Sequence, residues 1–132
     1  KSARFRAPFT HVGLVPEAAS SLLLPLAVGN AWANDLMIAG RTLTAEDALS
    51  AGLISRVFED EALVSESLKV AEQVASFAPN SVKQSKRLIR GVTKEQVRDQ
   101  MKREGVIFAE QLASAEFKES IAAFFEKRGP NF

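Results

Sequence analysis

The sequence contains no cysteine, and histidine is almost absent. His11 is the one histidine among the 132 residues. Without cysteine the chain can form no disulfide, no thiolate metal site and no cysteine nucleophile. A single histidine also excludes a multi-histidine metal site and any triad that uses two histidines. We therefore expect no metal centre in this chain.

The sequence also lacks an excess of charge and a long apolar run. Its formal net charge of +1 excludes a strongly basic nucleic-acid binder by composition. The longest apolar run, residues 22–28, is interrupted by Pro25 and falls far short of the roughly 18 residues of a membrane span. We expect neither nucleic acid nor a membrane as a partner, and we expect a cytoplasmic protein. With 46% hydrophobic residues, the chain can build a core.

Apolar periodicity and helix-end signals predict a predominantly α chain. Alternation over residues 3–9 predicts a short strand or an extended edge, and Pro8 limits how much of it can pair. The apolar run 53–58 is read either as a strand or as a lead into the next domain. Pro25 should kink the first helix and Gly29 should end it. Thr44 and Thr93 each begin a capping box. The predicted helices cover residues 18–27, 31–39, 44–52, 61–77, 79–90, 93–112 and 114–128, the last with Phe117, Ile121, Phe124 and Phe125 facing inward.

Five separated stretches match one family in order and spacing. They are residues 7–21 (APFTHVGLVPEAASS), 24–29 (LPLAVG), 40–48 (GRTLTAEDA), 52–57 (GLISRV) and 123–132 (AFFEKRGPNF). Together they resemble the crotonase superfamily, the enoyl-CoA hydratase/isomerase family, from the middle of its domain to its C-terminus. In motif, they are most similar to the peroxisomal-type Δ3,Δ2-enoyl-CoA isomerases.

This resemblance implies the C-terminal portion of an α/β spiral of ββα units, followed by a helical trimerisation segment. Residues 1–58 would form the end of the spiral core, and residues 59–132 the helical oligomerisation segment. A homotrimer or a dimer of trimers is the implied assembly. The implied substrate is an acyl-CoA thioester, so coenzyme A enters with the substrate and no separate cofactor is expected.

The family's chemistry rests on two backbone N–H groups that stabilise a thioester oxyanion, while carboxylates move protons. The chain begins at Lys1 and has no glycine-rich stretch that could supply such donors. In the family, one donor and most CoA-binding loops would lie upstream of Lys1. We therefore expect a natural start further upstream and expect this chain by itself to be inactive.

Glu17 is the residue that the resemblance identifies as the catalytic carboxylate. An acid before a helix also complements the helix dipole, which is the simpler interpretation of the position. In hydratase-type relatives, one of two catalytic glutamates corresponds to Phe9 of this chain. A single carboxylate suffices to shift a double bond, so an enoyl-CoA isomerase is expected. An atypical hydratase, an acyl-CoA dehalogenase and a non-catalytic CoA-binding or oligomerisation module remain alternatives.

Two further groups of residues follow from the resemblance. Leu14, Val15 and Pro16 would line the acyl pocket, although each could equally be a core residue. Lys127 and Arg128 would approach the CoA phosphates, since the family's last helix lies near them. Basic residues in the last turn of a helix also complement its dipole, so this second interpretation stays open.

Overall fold

The computed structural model describes all of residues 1–132, and most of them are helical. Two short strands form the one small sheet. Two 3-10 turns, Thr10–Val12 and Asp60–Ala62, precede the longer helices. The strands are β1 (Arg4–Phe5) and β2 (Leu43–Thr44), and the helices are α1 (Ser20–Met37), α2 (Ala45–Ser50), α3 (Leu63–Ala75), α4 (Pro79–Ile89), α5 (Lys94–Leu112) and α6 (Ala115–Glu126).

The sheet is much shorter than the alternation over residues 3–9 predicts. β1 and β2 pair antiparallel, with Arg4 opposite Thr44 and Phe5 opposite Leu43. Pro8, which has no N–H to donate, follows closely and limits further pairing. Residues 53–58 form no strand, so the strand alternative is wrong there.

The first long helix is two helical pieces joined at a kink. Gly29 adopts φ 76° and ψ 163°, a non-helical conformation inside α1, and Pro25 lies one turn earlier. The predicted break between two helices at Gly29 is therefore confirmed. Val28 before the kink and Ala33 beyond it pack with Ala51, which follows α2, and form a small buried cluster.

Helix starts follow the side-chain caps that the sequence predicts. Thr44 accepts the N–H of Asp47, and the Asp47 carboxylate accepts the N–H of Thr44 in return. Thr93 and Gln96 form the same reciprocal pair at the start of α5. These bonds satisfy N–H groups that have no partner inside the helix.

The apolar face of the last helix is more exposed than predicted. Phe124 and Phe125 are 77% and 76% exposed in this chain, and Ile121 is also exposed. The inward face is formed by small residues, because Ser120 and Ala123 are the buried positions of α6. The prediction of inward-facing aromatic residues is therefore wrong for Phe124 and Phe125, while Phe117 is half-buried.

Helices α5 and α6 fold back onto the beginning of the chain. α5 packs against α1, and α6 packs against both α5 and the first 3-10 turn. None of the helices combines the length and the apolar character needed to cross a membrane. The contacts of α5 and α6 fall on both ends of the loop that connects the 3-10 turn to α1.

Candidate active site

The loop that carries Glu17 connects the first 3-10 turn to α1. Its first part is tied down by hydrogen bonds from the N–H of Leu14 to the Phe9 carbonyl (2.9 Å) and from that of Gly13 to the Thr10 carbonyl (3.2 Å). Glu17 is exposed, whereas the residues before it are half-buried. Glu17 is also the sole carboxylate between Phe9 and α1. The loop thus presents one acid to solvent at the start of a helix.

A tight turn follows Glu17 and sets the direction of the chain into α1. The N–H of Ser20 donates to the Glu17 carbonyl at 3.1 Å. Between these residues, Ala18 and Ala19 both have φ 60°, in the left-handed region. Such a conformation costs on the order of 1–3 kcal/mol for a non-glycine residue and persists where the surroundings enforce it. Two consecutive left-handed alanines beside a candidate catalytic acid therefore need support from elsewhere in the fold.

Helix α6 fixes the first end of the loop through Gly13. A Cβ on Gly13 would lie 2.9 Å from the Glu116 carbonyl carbon and from the Phe117 nitrogen, so only glycine permits this approach. Gly13 also has φ 67°, which glycine adopts at little cost. The start of α6 is itself capped by Ser114, whose Oγ accepts the Phe117 N–H at 3.1 Å. The loop entrance is therefore in backbone contact with a capped helix end.

Helix α5 fixes the other end of the loop through Glu104. One carboxylate oxygen accepts the Ala19 N–H at 2.6 Å, and the other accepts the Ser21 N–H at 3.0 Å. The Ser21 hydroxyl donates to the same carboxylate, and it accepts a bond from Gln100 Nε2 at 2.8 Å. Glu104 is only 5% exposed, which makes it the one buried charged residue of the chain.

Sequence reasoning selected Glu17 as the candidate acid but gave no role to Glu104. The half-buried or buried residues of α5 include Val97, Gln100, Glu104 and Phe108, which recur at helical spacing. An acid that shares a stripe with Val97 and Phe108 was a signal of a buried carboxylate. Apolar spacing alone would instead place Val97, Met101, Ile107, Phe108 and Leu112 on one face, yet Met101 and Ile107 are exposed.

His11 has a structural position at the loop entrance. Its ring lies so close to Gly40 that a Cβ there would meet the ring carbon Cε1, and Gly40 has φ 70°. The neighbouring Thr10 hydroxyl donates towards the carbonyls of Met37 and Ile38 at 3.2 and 3.3 Å. Both residues attach the 3-10 turn to the segment that follows α1.

The predicted pocket residues lie together, next to the acid. Leu14, Val15 and Pro16 are each half-buried in the extended part of the loop. A groove of about 530 Å³ lies elsewhere and is lined by residues that include Trp32 and Arg41. Neither Glu17 nor the three residues before it line that groove, so it is not the site that the loop indicates.

The two predicted CoA-binding residues lie at the far end of α6. Phe117 lies beside the loop entrance. With about 1.5 Å of rise per residue, Lys127 lies about 15 Å further along the helix. Lys127 is exposed and adopts φ 55° as the C-cap residue. Arg128 pairs with Glu126 at 2.6 Å and also with Glu119. These carboxylates hold the pKa of Arg128 above its usual range.

Glu119 receives the matching effect. The Arg128 guanidinium and the Asn131 N–H (2.9 Å) both donate to it and lower its carboxyl pKa to about 2. The same bonds tie the chain end back onto α6. Arg128 therefore has partners within this chain, whereas the structure gives Lys127 no ion pair.

Comparison with known proteins identifies the relatives of this chain. A family model described as enoyl-CoA hydratase/isomerase matches residues 1–132. The crystal structure of an enoyl-CoA hydratase/isomerase from Pseudoalteromonas atlantica T6c is 85% identical, with a TM-score of 0.93. The match covers 100% of this chain and 53% of that chain. The crotonase fold class predicted from the sequence is thereby confirmed, with this chain as its mostly helical C-terminal portion.

Curated relatives carry both hydratase and isomerase names. A "Probable enoyl-CoA hydratase" of Rhizobium meliloti is 33% identical over 132 residues, which is 100% of this chain and 51% of the relative. "Enoyl-CoA delta isomerase 2" of Rattus norvegicus is 38% identical over 95 residues, which is 72% of this chain and 24% of the relative. Hydratase names are the more common. The chain spans about half the length of the hydratases it matches.

Proposed function

The chain belongs to the enoyl-CoA hydratase/isomerase family, and from this premise we propose that it carries the catalytic acid of an enoyl-CoA isomerase, Glu17. The observation that carries the proposal is the isolation of Glu17. It is the sole carboxylate of its loop, it is exposed, and it precedes a strained turn. Strained backbone is concentrated at active sites, and ligand sites are lined mainly by apolar residues with a few polar groups.

The proposed reaction needs one group that accepts and returns a proton. The Glu17 carboxylate removes a proton from C2 of a 3-enoyl-CoA, and the electron pair of that C–H bond moves towards the thioester oxygen. The resulting dienolate takes the proton back at C4, which shifts the double bond from C3–C4 to C2–C3. No water is consumed, and one carboxylate performs both transfers.

Hydration is the alternative, and the names of the relatives favour it. Adding water across a 2-enoyl-CoA uses one group to activate the water and another to supply the proton. The loop offers no second carboxylate, because Phe9 occupies the earlier position. This composition supports isomerisation over hydration for the present chain.

The oxyanion donors and most of the CoA site are proposed to come from the remainder of a longer protein. The exposed apolar residues support the proposed trimer, since Phe124 and Phe125 form an edge-to-face pair on the surface of α6. Lys127 is the better of the two proposed phosphate contacts, because Arg128 is already paired with Glu119 and Glu126. Leu14, Val15 and Pro16 are proposed to contact the acyl chain.

The decisive experiment replaces Glu17 in the full-length protein that carries this chain. Glu17→Gln keeps the shape of the side chain but removes its basicity, so we expect isomerisation of a 3-enoyl-CoA to fall by at least about 100-fold. Binding of an acyl-CoA, measured by calorimetry, should change little. Glu72→Gln, at an exposed position of α3, is the matched control and should leave turnover unchanged.

Two outcomes would contradict the proposal. Wild-type isomerisation by Glu17→Gln would exclude this residue as the proton carrier. Faster hydration of a 2-enoyl-CoA than isomerisation of a 3-enoyl-CoA by the unmodified protein would assign the family's other activity instead.

A further inference from the structure

We propose that Glu104 is a positioning residue for Glu17, through which the helical segment of the chain holds the acid-bearing loop in its active conformation. The inference rests on the proposed function of Glu17 and deepens it. Glu104 lies on α5, 85 residues after Ala19 in the sequence. Its role would make the C-terminal helices part of the catalytic site as well as of the proposed assembly.

Glu104 replaces a missing cap at the start of α1. Helix α1 begins after Ala19, whose side chain has no hydrogen-bonding group. The first N–H groups of a helix have no partner within it, and an anion near them is favourable. The Glu104 carboxylate supplies that anion and accepts the N–H groups of Ala19 and Ser21.

All the hydrogen bonds of the Glu104 carboxylate come from Ala19 in the turn and Ser21 in the first turn of α1. Burial of a charged group is unfavourable unless hydrogen bonds compensate for the lost water. Three bonds from Ala19 and Ser21 provide this compensation. Gln100 supports this arrangement without contacting Glu104. Its amide donates to the Ser21 hydroxyl oxygen, so that hydroxyl's proton is directed to Glu104.

The hydrogen bonds of Glu104 affect Glu17 through the turn that separates Glu17 from α1. The left-handed pair Ala18 and Ala19 separates Glu17 from α1, and this conformation is held between two fixed points. One is the Ser20 N–H bond to the Glu17 carbonyl, and the other is the Ala19 N–H bond to Glu104. Without Glu104, the N–H of the left-handed Ala19 loses its hydrogen-bond acceptor. The turn would then relax to a less strained conformation and displace Glu17.

A shift of about 1 Å in a reacting group can lower the rate about 100-fold. We therefore expect Glu104→Gln in the full-length protein to lower kcat about 10-fold to 100-fold. An amide has nearly the same volume as the carboxylate, but its NH2 group cannot accept a hydrogen bond from one of the two backbone N–H groups. KM for the enoyl-CoA should change less than about threefold, because Glu104 is buried and its carboxylate is occupied by Ala19 and Ser21.

A matched control lies on the same helix. Glu110 is exposed on α5 and is not part of this network, so Glu110→Gln should have wild-type kinetics. Amide hydrogen exchange gives a readout that does not depend on activity. Exchange at Ala19 and Ser21 should become faster in Glu104→Gln and stay unchanged in Glu110→Gln.

A double-mutant cycle tests whether Glu104 acts through Glu17. If it does, Glu104→Gln should have little further effect on turnover in a Glu17→Gln background. Full additivity of the two losses would overturn the positioning role. Wild-type kcat in Glu104→Gln would also overturn it, as would loss of the folded state in that variant, which would show a general structural requirement.

The failure of the proposed function would look different. Wild-type turnover in Glu17→Gln alone would reject Glu17 as the catalytic acid. Faster exchange at Ala19 and Ser21 in Glu104→Gln would in that case show only that Glu104 caps the loop, and the positioning proposal would fall with the function on which it rests.

Discussion

The two regions of the chain, residues 1–58 and residues 59–132, differ in how many of their residues are buried. Most of the 12 buried residues belong to the first region, where a small apolar cluster joins α1 to Ala51 after α2, and α2 packs against β2. The second region has long, regular helices, but its buried residues are only Glu104, Ser120 and Ala123. Its helices are thus shaped locally and attached to the first region at a few points.

Both regions contribute to the conformation of the loop that carries Glu17. The first region provides Glu17 and its strained turn, and the second provides the groups that hold the loop at both ends. Gly13 meets the start of α6, and Ala19 meets Glu104 of α5. A segment that the family resemblance assigns to oligomerisation therefore also contacts the acid-bearing loop within one chain.

The largest expected difference between the two regions is the loss of unfolding free energy when a leucine is shortened to alanine. Leu43 is fully buried, so Leu43→Ala should lower the free energy of unfolding of the full-length protein by about 2–5 kcal/mol. Leu88, 84% exposed on α4, is the matched position of the second region, and Leu88→Ala should cost less than about 0.5 kcal/mol. Urea denaturation measures both. Equal losses would show that other parts of the protein cover α4 and would break the comparison.

The attachment of α6 gives the next largest effect. Gly13→Ala places a methyl group against the α6 backbone at a left-handed position, so we expect a loss of at least about 2 kcal/mol in the free energy of unfolding. Gly105→Ala meets nothing within 4 Å on α5 and should stabilise the protein by about 0.5–1 kcal/mol. Thermal unfolding of both variants tests this difference in sign. Destabilisation by both would indicate that α5 is covered in the full-length protein.

The smallest effect concerns the chain end and is one of pH. The pKa of Glu119 is lowered to about 2 from an ordinary value of 4.5. Its stabilising contribution is therefore complete above about pH 4.5 and is lost as the pH falls through about 2. Arg128→Gln should raise the Glu119 midpoint towards 4.5, as measured by carboxyl carbon-13 shifts, while Lys127→Gln should leave it unchanged. A midpoint near 4.5 in the unmodified protein would contradict the pairing.

Much of the local structure could be predicted because its causes lie within a few residues. Thr44 and Thr93 cap helices through partners three positions away, and Gly29 breaks α1 through its own backbone conformation. The strand over residues 3–9 was predicted too long, since alternation indicates a strand but not a partner of sufficient length. Phe124 and Phe125 were predicted to be buried because periodicity identifies an apolar face and not what covers it.

The helical content and the helix caps follow from the amino-acid sequence, because short-range hydrogen bonds and side-chain spacing govern these features. The sequence also carries the family resemblance that makes Glu17 the candidate acid. The groups that hold the loop of Glu17 are visible only in the folded chain. Glu104 meets its partners across 83 and 85 residues, and its burial becomes favourable only once α1 presents unpaired N–H groups to it. Such a pairing depends on the packing of two helices, which no local pattern contains.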